Sequence, residues 1–293
     1  MSPRVSVVIP AYNSVAFIDA TMRSILGQTF TDFELLVSDH SSTDGTWEAL
    51  QKYSADPRVR LSRLASGGGG AANWNAVTAR AAGEFVKLVC GDDVLYPECL
   101  AAQVEALTAN SSAALAASRR DVIDAAGGMV LRNRGLAGLK GAVGGGEAIR
   151  RTVVAGTNIF GEPASVLFRR AALIDAGGWD GRQAFLLDLA AYCAVLLRGD
   201  LVVVPRPLAA FRISDSQWSV RLVRTQAEQF IAFFKKFAAE NPGVIGSRDV
   251  LVGSTRAHAN AFARRAVYIR LDDRMRSQLN SKSVGEGRHP VGT

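Results

Sequence analysis

Four times before residue 100 the chain repeats one pattern: a short run of β-branched and aliphatic residues, a polar cluster, then a helix-forming stretch. The first run, Val5-Ser6-Val7-Val8-Ile9, shows little polar alternation and stops at Pro10, as expected of a strand covered on both faces. Phe33 to Ser38, Val59 to Leu64 and Glu84 to Cys90 are the next three. Between them, Ser14 as N-cap precedes Ile18, Met22, Ile25 and Leu26 on one helical face, and Thr46 to Tyr53 and Ala71 to Ala82 predict further helices. Strands alternating with helices imply an α/β fold, a mostly parallel sheet flanked by helices. Right-handed crossovers put the strand C-terminal ends on one edge, where open sheets bind ligands. Pro10 to Asn13, Asp39 to Asp44 and Gly91 to Asp93 are therefore expected to meet at one crevice.

Farther on the pattern weakens. Glycines scattered through residues 110–165 break any period, and the stretch reads as a flexible lid. Gly177 to Gly181 is a turn, followed by a helix from Gln183 to Leu197 and a strand from Leu201 to Val204 ended by Pro205. Beyond Trp218 two amphipathic helical stretches follow, at 220–239 and 248–276. The expected organisation is one α/β domain over 1–215, a C-terminal helical region over 216–277 and a disordered tail over 278–293.

Charge is unevenly placed. Residues 1–220 hold 21 Lys and Arg against 21 Asp and Glu, and 221–293 hold 13 against 6, so the whole net charge of +7 is C-terminal. A basic segment beside a neutral body suits an anionic membrane surface or nucleic acid, and solvated helix faces give the same pattern. The segment carries two apolar stripes, Val223, Phe230, Phe234 and Phe237, then Phe262, Ala266 and Ile269. These fit packing on the body, contact with a second copy in a homo-oligomer, or a peripheral seat on an anionic bilayer. No apolar stretch approaches the roughly 20 residues that cross a bilayer, and Met1 to Arg4 lacks a signal-peptide layout. Three cysteines at no metal-ligand spacing, Cys90, Cys99 and Cys193, read as buried thiols in a reducing compartment. A cytoplasmic location is expected, at the inner face of the membrane if the basic helices meet it.

Two strand ends carry the chemistry. Asp92-Asp93 follows a buried strand, and two adjacent carboxylates there call for a hard divalent cation, Mg2+ or Mn2+, bridging to phosphate oxygens. N-capping of the helix near Pro97 is the competing reading. Asp39-His40-Ser41-Ser42-Thr43-Asp44-Gly45-Thr46 offers groups for a base and a ribose, or the ordinary chemistry of a capped turn. His40 has no partner at ligand spacing. A nucleotidyltransferase would want a glycine-rich phosphate loop with Lys or Arg after the first strand, and a dinucleotide oxidoreductase would want G-x-G-x-x-G. Pro10-Ala11-Tyr12-Asn13 is neither. A nucleic-acid binder would interleave its basic residues with exposed aromatics, and no such motif is present, so no nucleic-acid partner is expected.

Val5 to Asn13 (VSVVIPAYN), Gln28 to Glu34 (QTFTDFE), the Asp39 to Thr46 turn and Gly83 to Pro97 (GEFVKLVCGDDVLYP) together resemble family 2 of the glycosyltransferases, which has the GT-A fold. The likeness covers about the first 215 residues. It implies an inverting enzyme that moves a sugar from a nucleotide-diphosphate donor, UDP or dTDP with GDP as the alternative, to a glycan or lipid-linked acceptor in cell-envelope or surface polysaccharide synthesis.

By that resemblance Pro10, Ala11, Tyr12 and Asn13 would line the nucleotide, with Tyr12 against the base. Asp39 would contact the nucleoside, Asp92 the ribose or sugar, and Asp93 the metal. His40 stands where the family usually has a second acid. Asn73, Trp74 and Asn75 open the helix after the glycine cluster, and Asn75 is taken as a donor contact, against capping and core packing. Arg212 lies where relatives hold the diphosphate, with Ser214 in place of a histidine. The acceptor's base would follow the Gly-Gly-aromatic-Asp turn, which points to Asp188. At about 100° per residue Asp188 lies about 60° from Phe185 and 40° from Tyr192, at the border of the apolar face, where desolvation would raise its proton affinity. Gly161-Glu162-Pro163 has no assigned role.

Overall fold

The computed structural model describes residues 2–182, 184–214 and 226–263. Strands β1 (Val5–Ala11), β2 (Phe33–Asp39), β3 (Val59–Arg63) and β4 (Phe85–Leu88) pair in parallel in the order β3-β2-β1-β4. The helices between them are α1 (Ile18–Leu26), α2 (Thr46–Gln51) and α3 (Gly69–Thr78), and α4 (Cys99–Ala109) follows the short β5 (Val94–Leu95). Alternation along β1 sends Val5, Val7 and Ile9 into the core shared with α1, α2 and α4, and Val8 into the core shared with α3.

Pro10 lies inside β1 rather than ending it. Val8 accepts a bond from the Val89 N–H on the β4 side, and β4 stops there, so no ladder partner stands where Pro10 lacks its N–H. Ser14 does not cap α1 with its side chain. The Phe17 and Ile18 N–H groups donate to its carbonyl, and its hydroxyl is buried against Gly91.

The expectation of a lid over 110–165 is overturned by a long central strand. β6 (Ala113–Ile123) is followed by β7 (Met129–Arg134), β8 (Gly141–Val143), α5 (Gly145–Ala155), β9 (Val166–Arg169), α6 (Arg170–Asp175), α7 (Leu187–Leu196) and β10 (Asp200–Arg212). The sheet continues β4-β9-β6-β10-β5, with β7 on β6 and β8 on β10. β9 is antiparallel to both neighbours and β6 is parallel to β10, so the parallel half carries on into a mixed half. Ala113 to Ala117 are all buried. Alanine is a weak strand former, but its small side chain fits a strand wedged between two partners and covered on both faces. β10 likewise runs past Pro205, because register shifts around Pro207 form a bulge that leaves Pro205 without a partner on β6.

Helices α8 (Gln226–Glu240) and α9 (247–263) complete the described chain. Phe230, Phe234 and Phe237 of the expected stripe are buried in the main core, with Phe230 edge-on to Phe185. Packing on the body, rather than a bilayer, therefore occupies that face. Asn260 of α9 donates to the carbonyls of Ala155 and Gly156, and Arg256 to that of Val154, which satisfies the open C-terminal end of α5. Phe262 is 79% exposed. Val223, Ala266, Ile269 and the tail 278–293 lie outside the described residues. Among the described residues no helix is long and apolar enough to cross a membrane.

The α5–α9 seam is close enough that a Cβ on Gly253 would lie 2.2 Å from the Val153 carbonyl oxygen. Gly253→Ala is expected to cost about 1–3 kcal/mol and to lower the Tm by several degrees in a thermal melt. An unchanged Tm would mean that α9 is not docked there.

Candidate active site

Two of the three strand ends bond directly to one another, and the third is tied to α1, which follows the first. The Asn13 N–H donates to Ser42 Oγ at 2.9 Å, and the Thr43 N–H returns a bond to Asn13 Oδ1 at 2.9 Å. Asp44 accepts from the Val15 N–H, and Thr21 Oγ1 donates to the Asp93 carbonyl at 2.8 Å. Pro10 and Ala11 form the floor. The Ala11 carbonyl accepts from the His40 N–H and from Asn73 Nδ2.

At one end of this rim Asp39 is fully buried. Its Oδ2 accepts from the Ser42 N–H at 3.3 Å and from Arg63 Nε at 3.1 Å, while Oδ1 is buried with no partner. Asn73 Oδ1 is in the same condition beside it, although Asn73 Nδ2 bridges the carbonyls of Ala11 and Ser38. Buried acceptors without donors are costly, and two together, one at the end of β2 and one on α3, mark a place for a donor-bearing ligand. Tyr12 is 62% exposed, with its ring 6.1 Å from that of His40, whose Nε2 is bonded to the Gly67 carbonyl.

Asn75 is engaged elsewhere. Its Nδ2 donates to the carbonyls of Ala71 and Trp179 and its Oδ1 accepts from the Trp179 N–H, tying α3 to the Gly177–Trp179 turn. Asn73, two residues earlier, is the one that reaches the strand ends.

Asp93, 1% exposed, stands at the centre of the rim. Its Oδ1 accepts from the Arg212 N–H at 3.1 Å, and its Oδ2 is buried without a partner. Burial pushes its proton affinity well above the usual carboxylate range, and the charges of Asp92 and Glu162 push it further. A carboxylate oxygen of Asp92, one of Asp93 and the Cys90 Sγ all lie within 4.8 Å of one another. This oxygen-rich set, with one bare buried oxygen, fits a divalent cation. Arg212 holds the platform from behind. Its Nε donates to the Asp92 carbonyl, its Nη1 to those of Asp124 and Ala125, and its guanidinium covers the Phe17 ring at 4.9 Å.

Asp188 opens α7. Its Oδ2 accepts from Asn158 Nδ2 at 2.9 Å and its Oδ1 from the Leu189 N–H at 2.7 Å. Burial raises it to about 7, the charge of Glu162 adds to the rise, and the two hydrogen bonds oppose it. Glu162 itself is forked onto Arg120. The Cys90 thiol is pushed up by burial and then by the charges of Asp93, Asp92, Asp188 and Glu162.

The sequence profile of glycosyl transferase family 2 matches residues 6–176. The chain belongs to this family. An uncharacterized protein of Mycobacterium tuberculosis, MT1568, is 31% identical over 232 residues, covering 76% of this chain and 72% of that one. The poly(ribitol-phosphate) β-N-acetylglucosaminyltransferase TarS of Staphylococcus aureus is 37% identical over 98 residues, covering 32% of this chain and 17% of its own length. The structure of TarS residues 1–349 with UDP-GlcNAc superposes with a TM-score of 0.68 at 21% identity, covering 87% of this chain and 71% of that one. The mannosyltransferase PcManGT of Pyrobaculum calidifontis, solved with GDP-Man and Mn2+, superposes at 0.61 and 17% identity over 100% of this chain and 77% of that one. The fold of this glycosyltransferase is thus that of GT-A enzymes.

Sequence reasoning left Asn158, Arg120 and Glu162 of this glycosyltransferase without roles. Asn158 sits in a Gly-Thr-Asn turn that ordinary turn chemistry explains, and Arg120 and Glu162 meet only through the β6–β9 region of the sheet. Cys90, expected to be buried, is half-buried.

Asp188 ionises at about 3.8 when unfolded and at about 7 in the fold. Between those values the folded protein holds a proton that the unfolded chain has released, so this residue's contribution to stability falls as pH rises through that window. In apo protein the Tm of the wild type is expected to drop more steeply from about pH 5 to pH 7.5 than that of Asp188→Asn. Parallel curves would place the titration of Asp188 outside this range.

Proposed function

We propose that this glycosyltransferase transfers a sugar, with inversion, from a UDP- or dTDP-linked donor to the hydroxyl of a glycan or lipid-linked acceptor in cell-envelope polysaccharide synthesis. The observation that carries the reading is the bare, buried Oδ2 of Asp93, in a cluster with Asp92. The names of TarS and its UDP-GlcNAc complex support the donor class and the envelope setting.

In this reading the nucleoside lies along Tyr12 and Asp39, where the free Oδ1 of Asp39 accepts a hydrogen bond from it. Asp92 and Asp93 hold a divalent cation, Mg2+ or Mn2+, which when bound neutralises their charge and stabilises the departing diphosphate. Arg212 keeps both aspartates in place through the backbone. Asp188 takes the proton of the acceptor hydroxyl, and a carboxylate that ionises near neutral pH is well matched to that task. Asn158 orients the carboxylate and favours its charged form. A single in-line attack on the anomeric carbon then inverts it.

The test is transfer assayed over a panel of UDP-, dTDP- and GDP-sugars with Mn2+. Asp93→Ala and Asp188→Ala are expected to lower kcat by about 100-fold or more. Wild-type kcat/KM should rise with pH through about 7 as Asp188 loses its proton. Asn158→Ala, which removes a hydrogen bond to the charged form, should move that rise to higher pH. Near-normal turnover in either aspartate variant would remove its assigned role.

A further inference from the structure

Beside the two aspartates of the cation site lies a group of different chemistry. Cys90 is separated from Asp92 by Gly91 alone, and the Asp93 N–H donates to the Cys90 carbonyl at 3.2 Å, which closes the segment into a tight turn. That turn is held from one side. A Cβ on Gly91 would lie 2.7 Å from Ser14 Oγ, so the strand end is packed against the start of α1 with no space to spare. The result is a rigid platform from which Cys90, Asp92 and Asp93 present a sulfur and two carboxylate oxygens, all within 4.8 Å of one another.

We propose that Cys90 is a third protein ligand of this cation site, and that the site consequently takes thiophilic divalent cations (Zn2+, Cd2+ and Co2+) through a sulfur–metal bond. The inference rests on the proposed cation role of Asp93 and adds a ligand to it. Two ligands bound at about 2.0–2.3 Å to one ion are at most roughly 4.5 Å apart, so side-chain rotation alone closes the trio. An independent observation points the same way: Asp93 Oδ2 is buried in the same cluster and has no hydrogen-bond partner.

Access distinguishes Cys90 from the other thiols. Cys99 and Cys193 are fully buried inside the two cores, and Cys99 Sγ is directed at Gln103 Oε1. Cys90 is half-buried and lies in the cluster with the two aspartates. Binding forms the sulfur–metal bond as the thiol proton leaves to solvent, with no change of oxidation state. Hard Mg2+ and Mn2+ prefer the oxygens, whereas softer ions gain from the sulfur. A thiophilic ion would therefore compete with the hard ion for the same place and be held more tightly.

The experiment is a titration of the full chain with Co2+, followed by absorption, with Mn2+ and Cd2+ affinities measured by calorimetry. Wild type is expected to show a thiolate-to-cobalt charge-transfer band in the near ultraviolet. Cys90→Ser should keep its Tm and its Mn2+ affinity, lose that band, and bind Cd2+ at least about tenfold more weakly. Asp93→Asn should lose both band and Mn2+ binding. Co2+ bound without the band, or a band that survives in Cys90→Ser, overturns the proposal while leaving the aspartate site intact. Failure of the wild type to bind Mn2+ as well as Co2+ overturns the cation role of Asp93 together with it.

Discussion

A buried carboxylate with one bare oxygen is the constraint on which the site depends. Asp93 is sealed by α1, the Gly91 turn and the backbone of Arg212, yet only its Oδ1 is satisfied. An isolated charge in such a place is costly, and the fold responds by raising its affinity for a proton. A cation answers the same need without neutralising the group by protonation. The neighbours make the requirement sharper, since the charges of Asp92 and Glu162 both act on Asp93.

The sheet makes this arrangement possible. β1, β2 and β4 end side by side, with the residues past β1 and β2 bonded to one another and Asp93, past β4, held by Thr21 of α1 and the Arg212 backbone. The mixed half supplies the opposite wall. β6 carries Arg120, the short turn before β9 carries Glu162, and α7 carries Asp188. A buried network fixes that turn, with Lys87 Nζ donating to the Val166 carbonyl and Gln103 Nε2 to that of Ser165. Displacing β9 would thus move Glu162, and through it the field felt by Asp93 and Asp188.

The parallel half was legible in the sequence because its strands are β-branched runs with polar ends, and the residues there, Asp39, Asp92 and Asp93, fall where the topology places ligands. Asp188 was singled out by the resemblance, and helical geometry put it at the edge of an apolar face. β6 was not, since Ala113 to Ala117 satisfy a packing need between two strands that no periodicity announces. Asn158 and Arg120 were illegible for a related reason: their roles arise from contacts between segments far apart in the chain. Asn75 and Arg212 were singled out by position in the motif. The structure ties the side chain of Asn75 to the Trp179 turn and the guanidinium of Arg212 to backbone carbonyls.

The most direct measurement is anomalous diffraction from crystals grown with Mn2+ and UDP. The expected result is a manganese peak within bonding distance of Asp93 Oδ2, bridging to the diphosphate, with the uridine lying along Tyr12 and Asp39. A diphosphate bound elsewhere, or a nucleotide on this rim with no metal beside Asp93, would contradict the reading of this crevice as a metal-assisted sugar-transfer site.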